Sequence, residues 1–170
     1  MLRRIQNHPH LLEVAYDWIY KLLLPFQRWL TPGSRIERFI IQAERASKRA
    51  LFDCRMCGNC ILHSTGMTCP MTCPKNLRNG PCGGVRLDGH CEVLPDRMCV
   101  WVQAWERSKE MPGYGAEIIH IQPPVNYQLK DTSAWINEFH LREKMIPQGW
   151  ELVQSPDPVK TPQQNPTRAP

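Results

Sequence analysis

All eight cysteines of this 170-residue chain lie between Cys54 and Cys99, and the sequence on either side has none. A closely spaced triplet comes first and five wider-spaced cysteines follow: Cys54, Cys57 and Cys60, then Cys69, Cys73, Cys82, Cys91 and Cys99. Glycine, proline, asparagine and aspartate are frequent between them, and such residues form turns and bury little apolar surface. A stretch of this kind needs cross-links or bound metal to hold one structure.

Disulfides, metal ions and iron–sulfur clusters are the three explanations for so dense a group of cysteines. Disulfides need an oxidising compartment and normally an export signal. Residues 1–26 start with a basic segment, but Glu13, Asp17 and Lys21 interrupt every apolar run, so they match neither a signal peptide nor a membrane span. We therefore expect a cytoplasmic protein without a membrane span, and we favour metal or cluster binding over disulfides.

The net charge of +5 is mild, and the basic residues are spread along the chain without a long run. A nucleic-acid-binding protein usually concentrates its cations on one face. We therefore expect no nucleic-acid partner.

Two amphipathic helices are predicted before the cysteines. The first covers residues 10–30, with Pro25 bending or ending it early. The second starts at a capping box formed by Ser34 and Glu37 and runs to about Phe52. Core packing is the favoured interpretation of both apolar stripes, and docking of the first helix on a partner chain is the alternative. The stripes consist of Leu11, Ala15, Trp18, Leu22, Phe26 and Trp29 in the first helix, and Ile36, Phe39, Ile40, Ala43 and Ala50 in the second.

Shorter elements are predicted after the cysteine-rich stretch. Asp96 is a candidate cap for a helix over about 97–110, and the sequence AEIIHIQPP, residues 116–124, suggests a short edge strand. Thr132 or Ser133 is a candidate cap for a last helix that includes Trp135, Phe139 and Leu141.

The predicted fold class is mostly α, with a large irregular cysteine-rich, metal-bound loop region and a disordered C-terminal tail. We divide the chain into an N-terminal helix (1–33), a small α-helical iron–sulfur or zinc domain (34–146) and a proline-rich flexible tail (147–170).

The spacing of the first three cysteines is the most informative part of the pattern. Intervals of three residues let one short loop supply three thiolates to a cubane, while the fourth comes from farther along the chain. A zinc site usually uses two separated pairs instead. Eight thiolates divide into two sites of four, so we predict at least one [4Fe–4S] cluster and a second site holding [4Fe–4S] or zinc. The triplet with one remote cysteine is assigned to the cluster. His63 and His90 could replace cysteine at a zinc site, but we favour ordinary loop histidines.

A close resemblance to a known family is carried by residues 54–101, CRMCGNCILHSTGMTCPMTCPKNLRNGPCGGVRLDGHCEVLPDRMCVW. They resemble the family named for the C-terminal domain of methylenetetrahydrofolate reductase, which includes the small iron–sulfur subunit of the acetogen-type enzyme. The resemblance extends over roughly residues 36–140.

The resemblance implies iron–sulfur and zinc cofactors and a partner subunit that is a flavin-dependent TIM barrel binding FAD and folate. It implies an accessory or electron-transfer subunit in one-carbon metabolism, with all eight cysteines as cofactor and metal ligands and no catalytic residue. A barrel needs about 250 residues, so the reductase active site cannot be assigned to this chain, and we expect a non-catalytic subunit of an oxidoreductase. The alternative is a zinc-stabilised structural module that braces a partner without transferring electrons.

Overall fold

The computed structural model describes residues 2–140, and its regular secondary structure is helical. Within that range, four α-helices run over Pro9–Leu23 (α1), Arg35–Phe52 (α2), Val100–Ser108 (α3) and Ala134–Phe139 (α4). Short 3₁₀ helices lie at Leu2–Asn7, Leu24–Phe26, His63–Thr65, Pro70–Thr72, Gly115–Ile119 and Tyr127–Leu129. The same residues contain no strand, only two isolated antiparallel bridges, Val85 with Cys91 and His90 with Met98. The prediction of a mostly helical fold with an irregular cysteine-rich middle is confirmed.

Local sequence signals fix the ends of the first two helices. α1 stops at Leu23, and Pro25 lies in the 3₁₀ turn that follows, because a proline ring cannot continue the α-helical hydrogen bonding. At the start of α2 the backbone N–H of Glu37 donates to Ser34 Oγ at 3.1 Å. The Glu37 carboxylate accepts from the backbone N–H of Gly33 at 2.5 Å. The predicted cap is confirmed, although the glutamate reaches one residue farther back than a standard capping box.

Two later predictions are wrong. α3 begins at Val100 with Cys99 in the N-cap position, so Asp96 does not cap it. The predicted edge strand begins within the 3₁₀ helix Gly115–Ile119 and continues as irregular chain; the described residues provide no sheet for it to join. The last helix begins where predicted, with Ser133 Oγ accepting from the backbone N–H of Ile136 at 3.4 Å.

Leu141, the end of the 34–146 domain and the proline-rich tail all lie outside the described residues. No helix in the described part of the chain is long and apolar enough to cross a membrane.

The apolar stripes of α1 and α2 face outward. Trp18 on α1 and Phe39 on α2 are 72% and 73% exposed, whereas Glu13 on α1 and Glu44 on α2 are buried. Core packing therefore does not bury these stripes, and docking of α1 on a partner stays a prediction.

Two small apolar clusters lie in the interior, and both include or touch cysteines. The first joins the end of α2 to the loop after it, with Cys60 and Cys69 packed against its side, and consists of Phe52, Leu62, Met67 and Met111. The second lies at the start of α3 and consists of Cys99, Trp101 and Ala104. The cysteine-rich loop thus contributes to both clusters.

Candidate metal centres

The eight cysteines form two sets of four, and each set lines its own cavity. All eight are free thiols. The first cavity lies beside α2 and is lined by Cys54, Cys57, Cys60 and Cys69. The second lies beside the start of α3 and is lined by Cys73, Cys82, Cys91 and Cys99. Cys69 and Cys73 are four residues apart, but the 3₁₀ helix Pro70–Thr72 lies between them and they line different cavities.

Left-handed backbone turns shape the wall of the first cavity. The chain leaves α2 at Asp53 and turns again at Met56 and Gly58, with φ of 52°, 49° and 75°. The turn at Met56 aims its backbone N–H at Cys54 Sγ, 3.3 Å away. Backbone N–H groups that point at cysteine sulfur are common around metal–thiolate sites, because they stabilise negative charge on sulfur.

Two buried asparagines fix the loop that carries the triplet. Asn59 Nδ2 donates to the carbonyl of Cys57 at 3.0 Å and to that of Asn126 at 3.2 Å. Asn137 on α4 donates through Nδ2 to the carbonyl of Gly58 at 3.0 Å. These bonds satisfy buried carbonyls that would otherwise destabilise an irregular loop. Sequence analysis missed both residues. The position of Asn59 inside the cysteine triplet could have indicated its role in the loop. Asn137 lies far away along the chain, and no sequence pattern links it to the cysteines.

Cationic side chains border the first cavity. Lys48 and Arg78 both line it, and Arg78 donates from Nη1 and Nη2 to the carbonyl of Asn59, each at 3.2 Å. Burial alone would lower the pKa of Lys48, but electrostatic interactions with Cys60 and with the Glu44 carboxylate outweigh that effect and raise the pKa. Lys48 therefore stays charged beside the thiols. Lys48 was not predicted from the sequence.

Glu44 anchors this arrangement from within α2. Its carboxylate accepts from Lys48 Nζ at 2.6 Å and from Ser133 Oγ at 2.7 Å. It also accepts from the backbone N–H of Ala134 at 3.2 Å. Glu44 and Lys48 are four residues apart and therefore share one helix face. That spacing was the available signal for both.

Burial raises the pKa of three of the thiols that line the first cavity. It raises the pKa of Cys54 to about 11 and that of Cys69 to about 12, and it also raises the pKa of Cys57. A metal ligand must be a thiolate. A metal cation that binds here therefore displaces protons from these sulfurs.

A short bridged segment brings the later cysteines of the second cavity together. The backbone N–H of Cys91 donates to the carbonyl of Arg97 at 2.9 Å, and that of Cys99 donates to the carbonyl of Gly89 at 2.9 Å. The two isolated bridges lie in the same segment. As a result, Cys91 and Cys99, which are eight residues apart, line the same cavity.

Cys82 closes the second cavity at the molecular surface. Its sulfur accepts from the backbone N–H of Gly84 at 3.4 Å and lies 3.5 Å from Glu92 Oε1, which also pairs with Lys75. Cys82 is exposed, whereas the four cysteines of the first cavity are half-buried. Lys75 and Arg97 also line this cavity.

The two histidines considered as zinc ligands are engaged elsewhere. His63 stacks on Tyr16 with the ring centres 5.4 Å apart. His90 Nδ1 lies 3.4 Å from Asp88 Oδ2. Neither histidine lines a four-cysteine cavity.

The donor set fits thiophilic metals. Thiolate sulfur selects zinc and iron–sulfur clusters over hard cations. Between residues 2 and 140, no three histidine, cysteine, aspartate or glutamate side chains converge as ligands of one ion. A cubane carries its four thiolates on four separate irons, so its ligands stand farther apart than those around a single zinc. Four thiols around one cavity, with backbone N–H groups and cations beside them, suit such a group.

Comparison with known proteins gives one result. A family model described as methylene-tetrahydrofolate reductase C terminal matches residues 34–128, more than half of the chain. The match includes α2, all eight cysteines and α3. No curated protein and no solved structure matches the chain significantly. The chain therefore belongs to the family of the methylene-tetrahydrofolate reductase C-terminal domain.

Proposed function

We propose that this chain is a cytoplasmic iron–sulfur accessory subunit that partners a flavin-dependent methylenetetrahydrofolate reductase and passes electrons between an external donor and the partner's flavin. The observation that carries the proposal is the division of eight cysteines between two four-thiol cavities. Membership of the reductase C-terminal family supports the association. A TIM barrel is built from eight strands, whereas the described residues 2–140 form helices and no strand, so we assign these residues a non-catalytic role.

Each part of the two cavities has a task in this proposal. A [4Fe–4S] cluster, when bound, supplies one-electron transfer without a proton. The first four cysteines hold it, and Lys48 and Arg78 offset the negative charge of the thiolates. The backbone N–H groups of Met56 and Gly84 donate to cysteine sulfur, one in each cavity. Such bonds tune reduction potential.

Metal analysis of protein purified without oxygen tests the cofactor. We expect iron and acid-labile sulfide, and a broad visible absorption that bleaches with dithionite. Colourless protein that contains zinc alone would eliminate electron transfer. For the partner, the reduced chain is mixed with a purified flavin-dependent methylenetetrahydrofolate reductase barrel, and we expect bleaching of the flavin absorption. If the reduced chain neither binds the flavoprotein nor reduces its flavin, the proposed pairing is wrong.

A zinc-stabilised structural module is the second candidate, and the second cavity favours it. There the cysteines lie on bridged turns, and one of them is at the surface. Metal binding in a small domain contributes about 10 kcal/mol or more to folding, so zinc alone could stabilise this region. Four irons and one zinc per chain would mean that the two sites have different roles, whereas eight irons would exclude structural zinc.

A further inference from the structure

α1 is oriented with its apolar side away from the protein. One side of the helix, roughly 140° of its circumference, carries only small or apolar residues, and all of them are exposed. We call them the outer face of α1: Leu11, Val14, Ala15, Trp18, Ile19 and Leu22. Trp18 and Leu22 are 72% and 66% exposed. An isolated amphipathic helix on a globular protein normally turns this side inward.

Polar contacts on the opposite side of α1 hold this orientation. The buried Glu13 carboxylate accepts from the backbone N–H groups of Gly113 at 2.9 Å and Tyr114 at 2.6 Å. Tyr114 Oη donates to Asp17 Oδ1 at 2.8 Å. Tyr16 stacks on Trp135 with ring centres 5.0 Å apart. If α1 rotated to bury the outer face, the Glu13 carboxylate would move away from its two backbone donors and lose both hydrogen bonds. The outer face is therefore outward in the folded protein.

The exposed charges around the outer face have one sign. Between residues 5 and 30 the exposed charged side chains are Lys21 and Arg28, both cationic. Both acids of that segment, Glu13 and Asp17, accept hydrogen bonds from the protein itself. Trp29, just beyond α1, is 72% exposed. This surface thus combines apolar bulk, exposed tryptophan and two exposed cations, while the two acids lie on the side of α1 that contacts the protein.

A lipid bilayer fits this combination better than a protein surface does. A protein interface carries about one hydrogen bond per 100–200 Å², but the indole N–H of Trp18 is the single side-chain hydrogen-bonding group on the outer face. Helices that lie in the membrane interface bury Trp and Leu among the lipid chains while nearby Lys and Arg contact anionic headgroups.

We propose that the outer face of α1 docks this protein on an anionic membrane surface, with the helix parallel to the bilayer. Leu11, Trp18 and Leu22 enter the boundary between headgroups and acyl chains, and Lys21 and Arg28 contact anionic headgroups. The proposal concerns attachment to one leaflet and is independent of the proposed electron transfer.

Vesicle co-sedimentation of the anaerobically purified full chain tests the proposal. The probes are vesicles of phosphatidylcholine with an equal share of phosphatidylglycerol, and vesicles of phosphatidylcholine alone. We expect partition into the anionic vesicles to be about tenfold higher than into the neutral ones. The double variant Trp18→Ser/Leu22→Ser should lower partition about tenfold. The matched control Ile119→Ser/Ile121→Ser, which removes two side chains that are 71% and 88% exposed elsewhere, should stay within about twofold of the unmodified chain.

Several results would overturn the proposal. The first is a failure of the unmodified chain to sediment with anionic vesicles, and the second is equal partition of the Trp18→Ser/Leu22→Ser variant with an unchanged circular dichroism spectrum. A third is a dimer in sedimentation velocity that this variant abolishes, with no vesicle binding, because a second copy would then cover the face. A fourth is loss of binding to the flavoprotein in the same variant, again with no vesicle binding, which would assign the face to a protein partner.

Discussion

Gly58 lies where the cysteine loop passes against the backbone near α4, and replacing it with alanine tests the packing of the first cavity. Its φ is +75°, and an added Cβ would lie 2.1 Å from the carbonyl oxygen of Leu129 and 2.8 Å from its carbonyl carbon. Because those are backbone atoms, the loop itself would have to move. The left-handed conformation costs an alanine about 1–2 kcal/mol, and overpacking adds about 1–3 kcal/mol.

Gly83 provides a matched control for this substitution. It also directly follows a cysteine, its φ is +78°, and an added Cβ would meet nothing within 4 Å. Gly83→Ala therefore has the conformational cost without the overpacking. We expect Gly58→Ala to lose about 2 kcal/mol more stability than Gly83→Ala.

Urea denaturation of the metal-loaded protein, followed by circular dichroism without oxygen, measures the difference. For an m-value of about 2 kcal/mol per molar, the midpoint of Gly58→Ala should lie about 1 M below that of Gly83→Ala. Displacement of the loop should also reduce metal content at the first cavity, since Gly58 follows Cys57 directly. Equal midpoints for the two variants, with equal metal content, would refute the close approach of the loop to Leu129.

Three further predictions concern the same region. Glu44→Gln leaves Lys48 without its buried partner and should lower the free energy of unfolding by about 3 kcal/mol. The ion pair of Glu106 is exposed, so Glu106→Gln is a control that should change the free energy of unfolding by no more than about 0.5 kcal/mol. Equal urea midpoints for the two variants would contradict this prediction. Cys69→Ser and Cys73→Ser should each lose metal from a different cavity, so the losses of metal per chain should add in the double variant. If metal analysis finds no greater loss in the double variant than in either single variant, both cysteines belong to one site. Removal of metal by a chelator should speed the hydrogen exchange of backbone amides throughout the cysteine-rich loop but leave the amides of α1 protected. Unchanged exchange in the loop would show that metal does not stabilise it.

Short-range signals in the sequence predicted much of the local structure. The hydroxyl of Ser34, three residues before Glu37, marked the start of α2, and Pro25 marked the end of α1. Such signals act within one helical turn, so neighbouring residues are enough to recognise them. The edge strand was predicted from an apolar run near prolines, but a strand needs a partner strand, and the described part of the chain provides none at that place.

The assignment of cysteines to cavities required the tertiary structure. Spacing indicated a remote fourth ligand for the triplet, but it did not distinguish Cys69 from Cys73. The intervening turn Pro70–Thr72 and the packing of the loop on α2 and α3 make that distinction. Asn137 likewise reaches Gly58 only because α4 folds back onto the loop.

The sequence by itself determined that this chain has a thiol-rich centre, helices before and after it, and a close resemblance to one family. Thiol chemistry and helix capping depend on residue type and short spacing, which a sequence displays directly. Only the tertiary structure decided which cysteines share a cavity and which side of α1 points outward. Periodicity shows that a helix has two different faces, but it does not show which face the rest of the protein contacts. In α1 the buried carboxylate of Glu13 and its two backbone donors decide that, and those donors lie 100 and 101 residues farther along the chain.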